Sequence, residues 1–236
     1  PGPVRSLGQV SRIKGQDPPT DERVTPLVLD LTDAARINLA AETVDSLDVL
    51  INNAGVHGYE DLADRAALEH HLAVNLFGLY AVTQAFLTRL IESQGTIVNV
   101  LSLAAVAAVP ISPAYSISKA AAFSWTQSLR ATLAGQSVDV HAVLPGPVDT
   151  DMVRDLEIPK ASPQSVAAAI LDALAKGEDE IFPDPFSQAL ADSWNRGAVK
   201  ALERQNAALV GGPEPVAEGP RTLSSAPRTP GCSGSC

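Results

Sequence analysis

Methionine, cysteine and aromatic side chains are scarce in this 236-residue chain: one Met, two Cys, and 4% Phe, Trp and Tyr together. The single methionine is Met152, so no initiator is present, and the start reads as a fragment or an altered N-terminus. Both cysteines, Cys232 and Cys236, lie in a Gly/Ser/Pro-rich end where no Cys or His completes a zinc set. The rest of the chain has none, so its stability does not rest on disulfides, and a reducing cytoplasm is the expected location. His57, His70, His71 and His141 show no metal-ligand spacing, and no metal site is expected. No apolar run reaches the roughly 18 residues of a membrane span, the richest stretch, 102–112, being broken by Pro110. The beginning also lacks the apolar region of a secretory signal. With 17 basic against 27 acidic residues the net charge is −10, which argues against a nucleic-acid surface. The expected partner is a small molecule, not a nucleic acid or a membrane.

What remains is 45% apolar and 19% charged, the balance of one globular domain. Residues 27–31, 47–51, 96–101 and 138–144 are rich in Val, Ile and Leu with few charges, as strands buried on both faces should be. Between them lie stretches of helical period at 33–43, 65–92 and 113–133. Ser162 reads as an N-cap with Pro163 at the first helical position, and Gly177 stops that helix. Residues 180–182 read as a last strand and 186–205 as a helix of mixed polarity. Strands alternating with helices predict an α/β fold: a doubly wound parallel sheet in a three-layer αβα arrangement. The domain is expected over residues 24–205, after an atypical segment 1–23 and before a disordered Gly/Pro/Ser-rich tail at 206–236.

Ligands of such sheets bind beyond the carboxyl ends of the strands. The second predicted strand ends in Asn52-Asn53-Ala54-Gly55, whose amides and glycine permit close backbone approach, although the tetrapeptide can equally be a turn. The third ends in Ser102, followed by Tyr115-Ser-Ile-Ser-Lys119. Tyr and Lys four apart share one helix face. A phenol of ordinary pKa near 10 is a poor acid or base at neutral pH unless a cation stabilises its phenolate, and Lys119 is spaced to do this. Ser102 could then orient a substrate oxygen while Tyr115 moves the proton.

Asn52-Asn53-Ala54-Gly55, Ser102, Tyr115-Ser-Ile-Ser-Lys119 and Pro145-Gly146-Pro147-Val148-Asp149-Thr150, with Asn75 in Val74-Asn75-Leu76, resemble the ordered motif set of the short-chain dehydrogenase/reductase family. The resemblance implies a Rossmann-type sheet, an NADP or NAD cofactor with NADP slightly favoured, and hydride transfer between it and a small carbonyl or alcohol substrate. By the same resemblance Tyr115 is the general acid/base, and Lys119 lowers its pKa and bonds the nicotinamide ribose. Ser102 holds the substrate oxygen and Asn75 anchors a water in a proton relay. Cofactor contacts fall at Asp30 and Leu31, at Asn53, Ala54 and Gly55, at Tyr115 and Lys119, and at Pro145, Gly146, Val148 and Thr150. Each has a plainer alternative: Asp30 begins the next helix, Asn75 is a buried amide, and Asp149 and Thr150 cap a helix. The long helices resemble those with which the family builds homodimers and homotetramers.

One part of the pattern is missing. Residues 1–26 contain only Gly2, Gly8 and Gly15, too far apart for the family's glycine-rich, phosphate-cradling loop. Residues 10–18 read as a worn second strand and its turn, with Arg12 or Lys14 near a ribose phosphate or simply solvated. Without the first, central strand, residues 47–51 should present an unpaired hydrophobic edge. Weak or absent cofactor binding is then expected, and the alternative to an incomplete enzyme is a degenerate homologue that acts as a binding or regulatory protein.

Overall fold

The computed structural model describes residues 9–10 and 23–210. The elements, in chain order, are β1 (Gln9–Val10), β2 (Leu27–Val28), α1 (Ala34–Glu42), β3 (Val49–Asn52), α2 (Arg65–Leu72), α3 (Leu79–Ser93), β4 (Thr96–Val100), α4 (Pro113–Leu133), β5 (Asp139–Val143), α5 (Pro163–Ala175), β6 (Glu180–Ile181), α6 (Pro185–Arg196) and α7 (Ala198–Ala207). The expected parallel sheet with flanking helices is present, but among the described residues it is two sheets. β1 pairs with β2, and a four-stranded sheet runs β3-β4-β5-β6, every pairing parallel.

Local chemistry explains most boundaries. Asp33 caps α1 by accepting from the Ala35 and Arg36 N–H groups, so it is Asp33, and not Asp30, that begins this helix. Pro113 starts α4, which covers the predicted 113–133. Ser162 caps α5 through Ser165 N–H, and Gly177, at φ +69°, turns the chain out of it.

Three expectations need correction. The strand predicted at 27–31 is only two residues long, because Asp30 and Thr32 form a side-chain turn directly after it. The helix predicted at 65–92 is interrupted by a π-helical segment, Ala73–Gly78, which carries Asn75. The helix predicted at 186–205 divides at Gly197, whose extended backbone (φ −76°, ψ 158°) breaks the hydrogen-bond ladder. α7 continues to Ala207, and the tail expected at 206–236 falls, from residue 211 on, outside the described residues, as do residues 1–8. Of the worn strand predicted at 10–18, only Val10 is described, within β1.

The sheet has unequal faces. On one, Leu50, Ile97 and Val140 pack with Val82, Phe86 and Leu90 of α3 and Leu129 and Leu133 of α4. On the other, Val98, Val143 and Ile181 meet Ala173 of α5. α5 does not extend across β3, so Val49 and Ile51 are 43% and 47% exposed on the face where Val98 is buried. Among the described residues the hydrophobic edge expected at this strand is present: β3 ends its sheet, and β1-β2 is a separate pair. Helix 65–93 is long and apolar enough to cross a membrane by length and composition alone, yet its Leu79, Val82, Phe86 and Leu90 are core residues here.

Sequence pattern did not disclose the ionic cluster that fastens the last elements. Lys200 of α7 lies 2.7 Å from Glu180 and 2.9 Å from Glu203, and Arg130 of α4 lies 2.7 Å and 2.8 Å from the same two carboxylates. Trp194 N–H also donates to Glu180 (3.2 Å). The bonds to Glu180 and Glu203 raise the Lys200 pKa despite the opposing effect of burial. Lys200→Ala would leave Glu180 buried against a weakened set of cations. It should lower stability by about 3 kcal/mol in urea unfolding, and a loss under about 1 kcal/mol would show that the cluster contributes little.

Candidate active site

The carboxyl ends of β3, β4 and β5 bring three chain segments together: residues 53–60, Ser102 and residues 145–150. α4 crosses beside β4 and supplies Tyr115 and Lys119. Ser102, in extended backbone (φ −177°), accepts from Ala104 N–H at 3.1 Å and so starts a short turn of 3₁₀ helix. Its hydroxyl also lies close enough to the Tyr115 hydroxyl to lower that phenol's pKa. Lys119 Nζ donates to the Val100 carbonyl at 3.1 Å and lies 5.7 Å from the centre of the Tyr115 ring. The predicted pair therefore shares one small volume with Ser102.

Electrostatics follow from burial. Burial pushes the Tyr115 pKa up from 10.0, and the bond from Ser102 only partly offsets this. Lys119 is depressed from 10.5 to about 8, again by burial. Tyr115 is thus a neutral phenol at pH 7, a proton donor, beside a cation held at a cost.

Asn75 has three side-chain hydrogen bonds among the described residues. Its Oδ1 accepts from Val56 N–H at 2.8 Å, while its Nδ2 donates to the Val56 carbonyl (3.0 Å) and to Ser118 Oγ (2.9 Å). The side-chain amide clamps both backbone groups of Val56 and joins that loop to α4. The π-helical turn presents Asn75 for this. Asn52 also turns inward: its Nδ2 donates to Thr83 Oγ1 (3.0 Å) and Asn99 Oδ1 (2.9 Å), and Asn99 donates to Thr126 Oγ1 (2.9 Å). This buried ladder fixes the end of β3, while Asn53 faces solvent and Ala54 is half-buried. A Cβ on Gly55 would approach Asn75 Oδ1 to 3.1 Å and Lys119 Nζ to 3.5 Å, so glycine lets the loop lie against the lysine.

The other predicted positions are spread around this centre. Asp30 is exposed, its carboxyl held below the usual range first by the Thr32 N–H and then by the Thr32 hydroxyl. Leu31 packs on Gly78, where an added Cβ would come within 2.8 Å of its own Cβ. Pro145 accepts from Leu103 N–H (3.0 Å), binding the β5 loop to the β4 loop. Val148 bridges to Ala161, closing residues 149–160 into a flap, and Thr150 starts its 3₁₀ turn with no side-chain capping bond. Gly146 N–H donates to Asp184 Oδ2 (2.8 Å), and an added Cβ would strike Asp184 and Phe186 at 2.9 Å. Asp184, which also caps α6, is a positioning residue that sequence reasoning missed; an Asp before Pro185 at a helix start was the available signal.

A family model described as short chain dehydrogenase matches residues 8–160. Among curated proteins, 2-(S)-hydroxypropyl-CoM dehydrogenase 3 of Xanthobacter autotrophicus is 37% identical over 134 residues, covering 55% of this chain and 52% of that protein. The 1-deoxy-11-beta-hydroxypentalenate dehydrogenase of Streptomyces avermitilis is 33% identical over 190 residues, covering 73% and 70%. The chain thus spans about half the length of the first of these relatives. Among solved structures, a short chain dehydrogenase from Burkholderia cenocepacia in complex with NADP is 35% identical, with a TM-score of 0.71 over 79% of this chain and 80% of that one.

The lysine supplies a test that needs no cofactor. A lysine whose folded pKa is below its unfolded value costs stability while charged: the cost is full below about pH 8 and disappears as pH rises to 10.5. Lys119→Met should therefore stabilise the free protein by about 3 kcal/mol at pH 7, at 1.36 kcal/mol per pKa unit, with a gain that shrinks on the way to pH 10. Urea unfolding at the two pH values checks this, and a destabilised variant at pH 7 would contradict it.

Proposed function

Because this chain belongs to the short chain dehydrogenase family, we propose that it carries the catalytic half of an NAD(P)-dependent oxidoreductase site acting on a small carbonyl or alcohol. The observation that carries the proposal is the Tyr115–Lys119 pair, with the Ser102 hydroxyl on the phenol and the buried ammonium one helical turn away. NADP is favoured over NAD, supported by the solved relative in complex with NADP. Lys119 fits a ribose: it is buried, Val100 is its described acceptor, and an ammonium has further N–H groups to donate. Asn53, Ala54, Gly55, Pro145, Gly146, Val148 and Thr150 are read as the walls toward the cofactor, with Asp30 and Leu31 toward its adenine end.

The nicotinamide supplies the hydride when bound. Ser102 orients the substrate oxygen, and Tyr115 donates its hydroxyl proton to that oxygen in reduction or accepts it in oxidation. Lys119 favours the resulting phenolate by charge. Asn75 positions the Val56 backbone and Ser118 and so keeps Gly55 against Lys119. Residues 1–26 contain no glycine-rich cradle, so the cofactor's phosphates are expected to be held weakly by this chain. A cytoplasmic homo-oligomer is the reading for assembly, supported by Phe77, Tyr80 and Ile117, which α4 and the helix from 65 to 93 leave exposed.

Tyr115→Phe should lower turnover of ketone by NADPH by at least about 100-fold, the low end of general acid catalysis, while fluorescence-detected cofactor affinity stays within a few fold. Unchanged turnover would remove Tyr115 from the chemistry. kcat/KM for ketone reduction should be level at neutral pH, where the phenol is protonated, and fall as pH rises through about 8 with loss of the Lys119 charge. A rate that climbs through that range would contradict the assignment.

A further inference from the structure

Two residues beyond Gly55, the chain carries His57, which none of the motifs accounts for. Its imidazole stands edge-on to Tyr115, ring centres 4.8 Å apart at 78°, and edge-on to Tyr59 at 5.1 Å. Its Nε2 lies 3.2 Å from Ser112 Oγ. Ser112 is fully buried, and His57 Nε2 is the described side-chain partner of its hydroxyl, in a bond whose direction follows the histidine tautomer. With the serine donating, the arrangement that satisfies its buried hydroxyl proton, Nε2 accepts and the ring proton of the neutral imidazole is assigned to Nδ1. Burial lowers the His57 pKa, against an opposing effect of Glu60, which keeps the ring in this neutral form.

The ring is held from both sides. Asn75 clamps the preceding Val56. On the following side, Glu60 lies 3.2 Å from Nε2 of His71, a side chain that is itself buried and bonded through Nδ1 to the Ala67 carbonyl at 2.8 Å. An added Cβ at Gly58 would meet Glu60 Oε1 at 2.2 Å, so a larger residue there would displace that carboxylate. His57 thus offers a fixed N–H, with no partner among the described residues, beside the ring of the proposed proton donor. Such a donor discriminates by its satisfaction: a substrate that bonds it gains, and one that covers it without a bond leaves it unpaired.

Resting on the oxidoreductase reading, we propose that His57 is a specificity-determining residue: its Nδ1–H selects carbonyl substrates that carry a second oxygen acceptor a few bonds from the reacting carbon, as a β-keto ester does. The reacting carbon gains hydride from NADPH and its oxygen gains the proton from Tyr115, giving the hydroxy ester, NADP⁺ and a Tyr115 phenolate, which a proton from solvent returns to the phenol; the second oxygen is bonded by His57 and unchanged.

The test compares ethyl acetoacetate with methyl propyl ketone, each reduced at the same fixed, millimolar NADPH concentration. Wild-type protein should prefer the keto ester. His57→Phe, which keeps the ring contact with Tyr115 but has no N–H, should reduce the ratio of the two kcat/KM values about tenfold, the worth of one hydrogen bond. His57→Asn, which restores an N–H near the position of Nδ1, should recover part of the ratio. An equal ratio in all three proteins overturns the proposal and leaves the oxidoreductase reading standing. Wild-type protein that reduces neither ketone overturns both. Ring-nitrogen NMR gives a readout independent of turnover: His57 should show the Nδ1–H tautomer at pH 7, and an Nε2–H tautomer or an imidazolium would overturn the assignment.

Discussion

Lys119 keeps an ammonium inside the protein against the carbonyl of Val100, and burial draws its pKa from 10.5 to about 8. That placement demands several things of the surrounding fold. β4 must end at Val100 so that its carbonyl is free of the sheet ladder, and α4 must cross there with Lys119 facing inward. The loop from β3 must pass close by, which Gly55 allows and a residue with a Cβ would strain. The charge costs stability in the free protein and is repaid only when a phenolate or a ligand hydroxyl faces it. A site that spends stability in this way is arranged for chemistry.

Buried amides hold this arrangement. Asn52 and Asn99 are partners in the β3–β4 register and bond through their side chains, each also reaching a threonine on a covering helix. Asn75 does the same work outside the sheet, with three hydrogen bonds to Val56 and Ser118. Such bonds cost much to break one-sidedly, because the surviving partner is left buried and unpaired. They tie the loop beyond β3 to the same helix that carries Tyr115 and Lys119.

Local signals were legible in the chain. The extent of α4, the caps at Ser162 and Pro163, and the one-turn spacing of Tyr115 and Lys119 all depend on residues within a few positions of one another. The exposed edge of β3 was legible too, since a hydrophobic strand without a neighbour follows from the missing pattern before it. Contacts between distant positions were not. The bond from Gly146 to Asp184 spans 38 residues and that from Asn75 to Ser118 spans 43, and no periodicity encodes such pairs. The π-helical turn at Asn75 reads in sequence as ordinary helix, because its side chains keep a helical apolar pattern. Lys200 lies in the stretch read as a mixed-polarity helix, and nothing near it in the chain signals that Glu180 and Arg130 join Glu203 around it.

The site and the phosphate cradle are separable in this chain: proton-handling groups are assembled, while the glycine-rich loop is missing from residues 1–26. The affinity for cofactor and the chemistry at the substrate should therefore come apart. The direct measurement is the initial rate of NADPH oxidation by the full chain with a saturating ketone, followed as NADPH is raised from micromolar to millimolar. The account predicts turnover that keeps rising into the millimolar range without saturating. Saturation at micromolar NADPH would contradict the separation, and no turnover at any concentration would contradict the catalytic assignment itself.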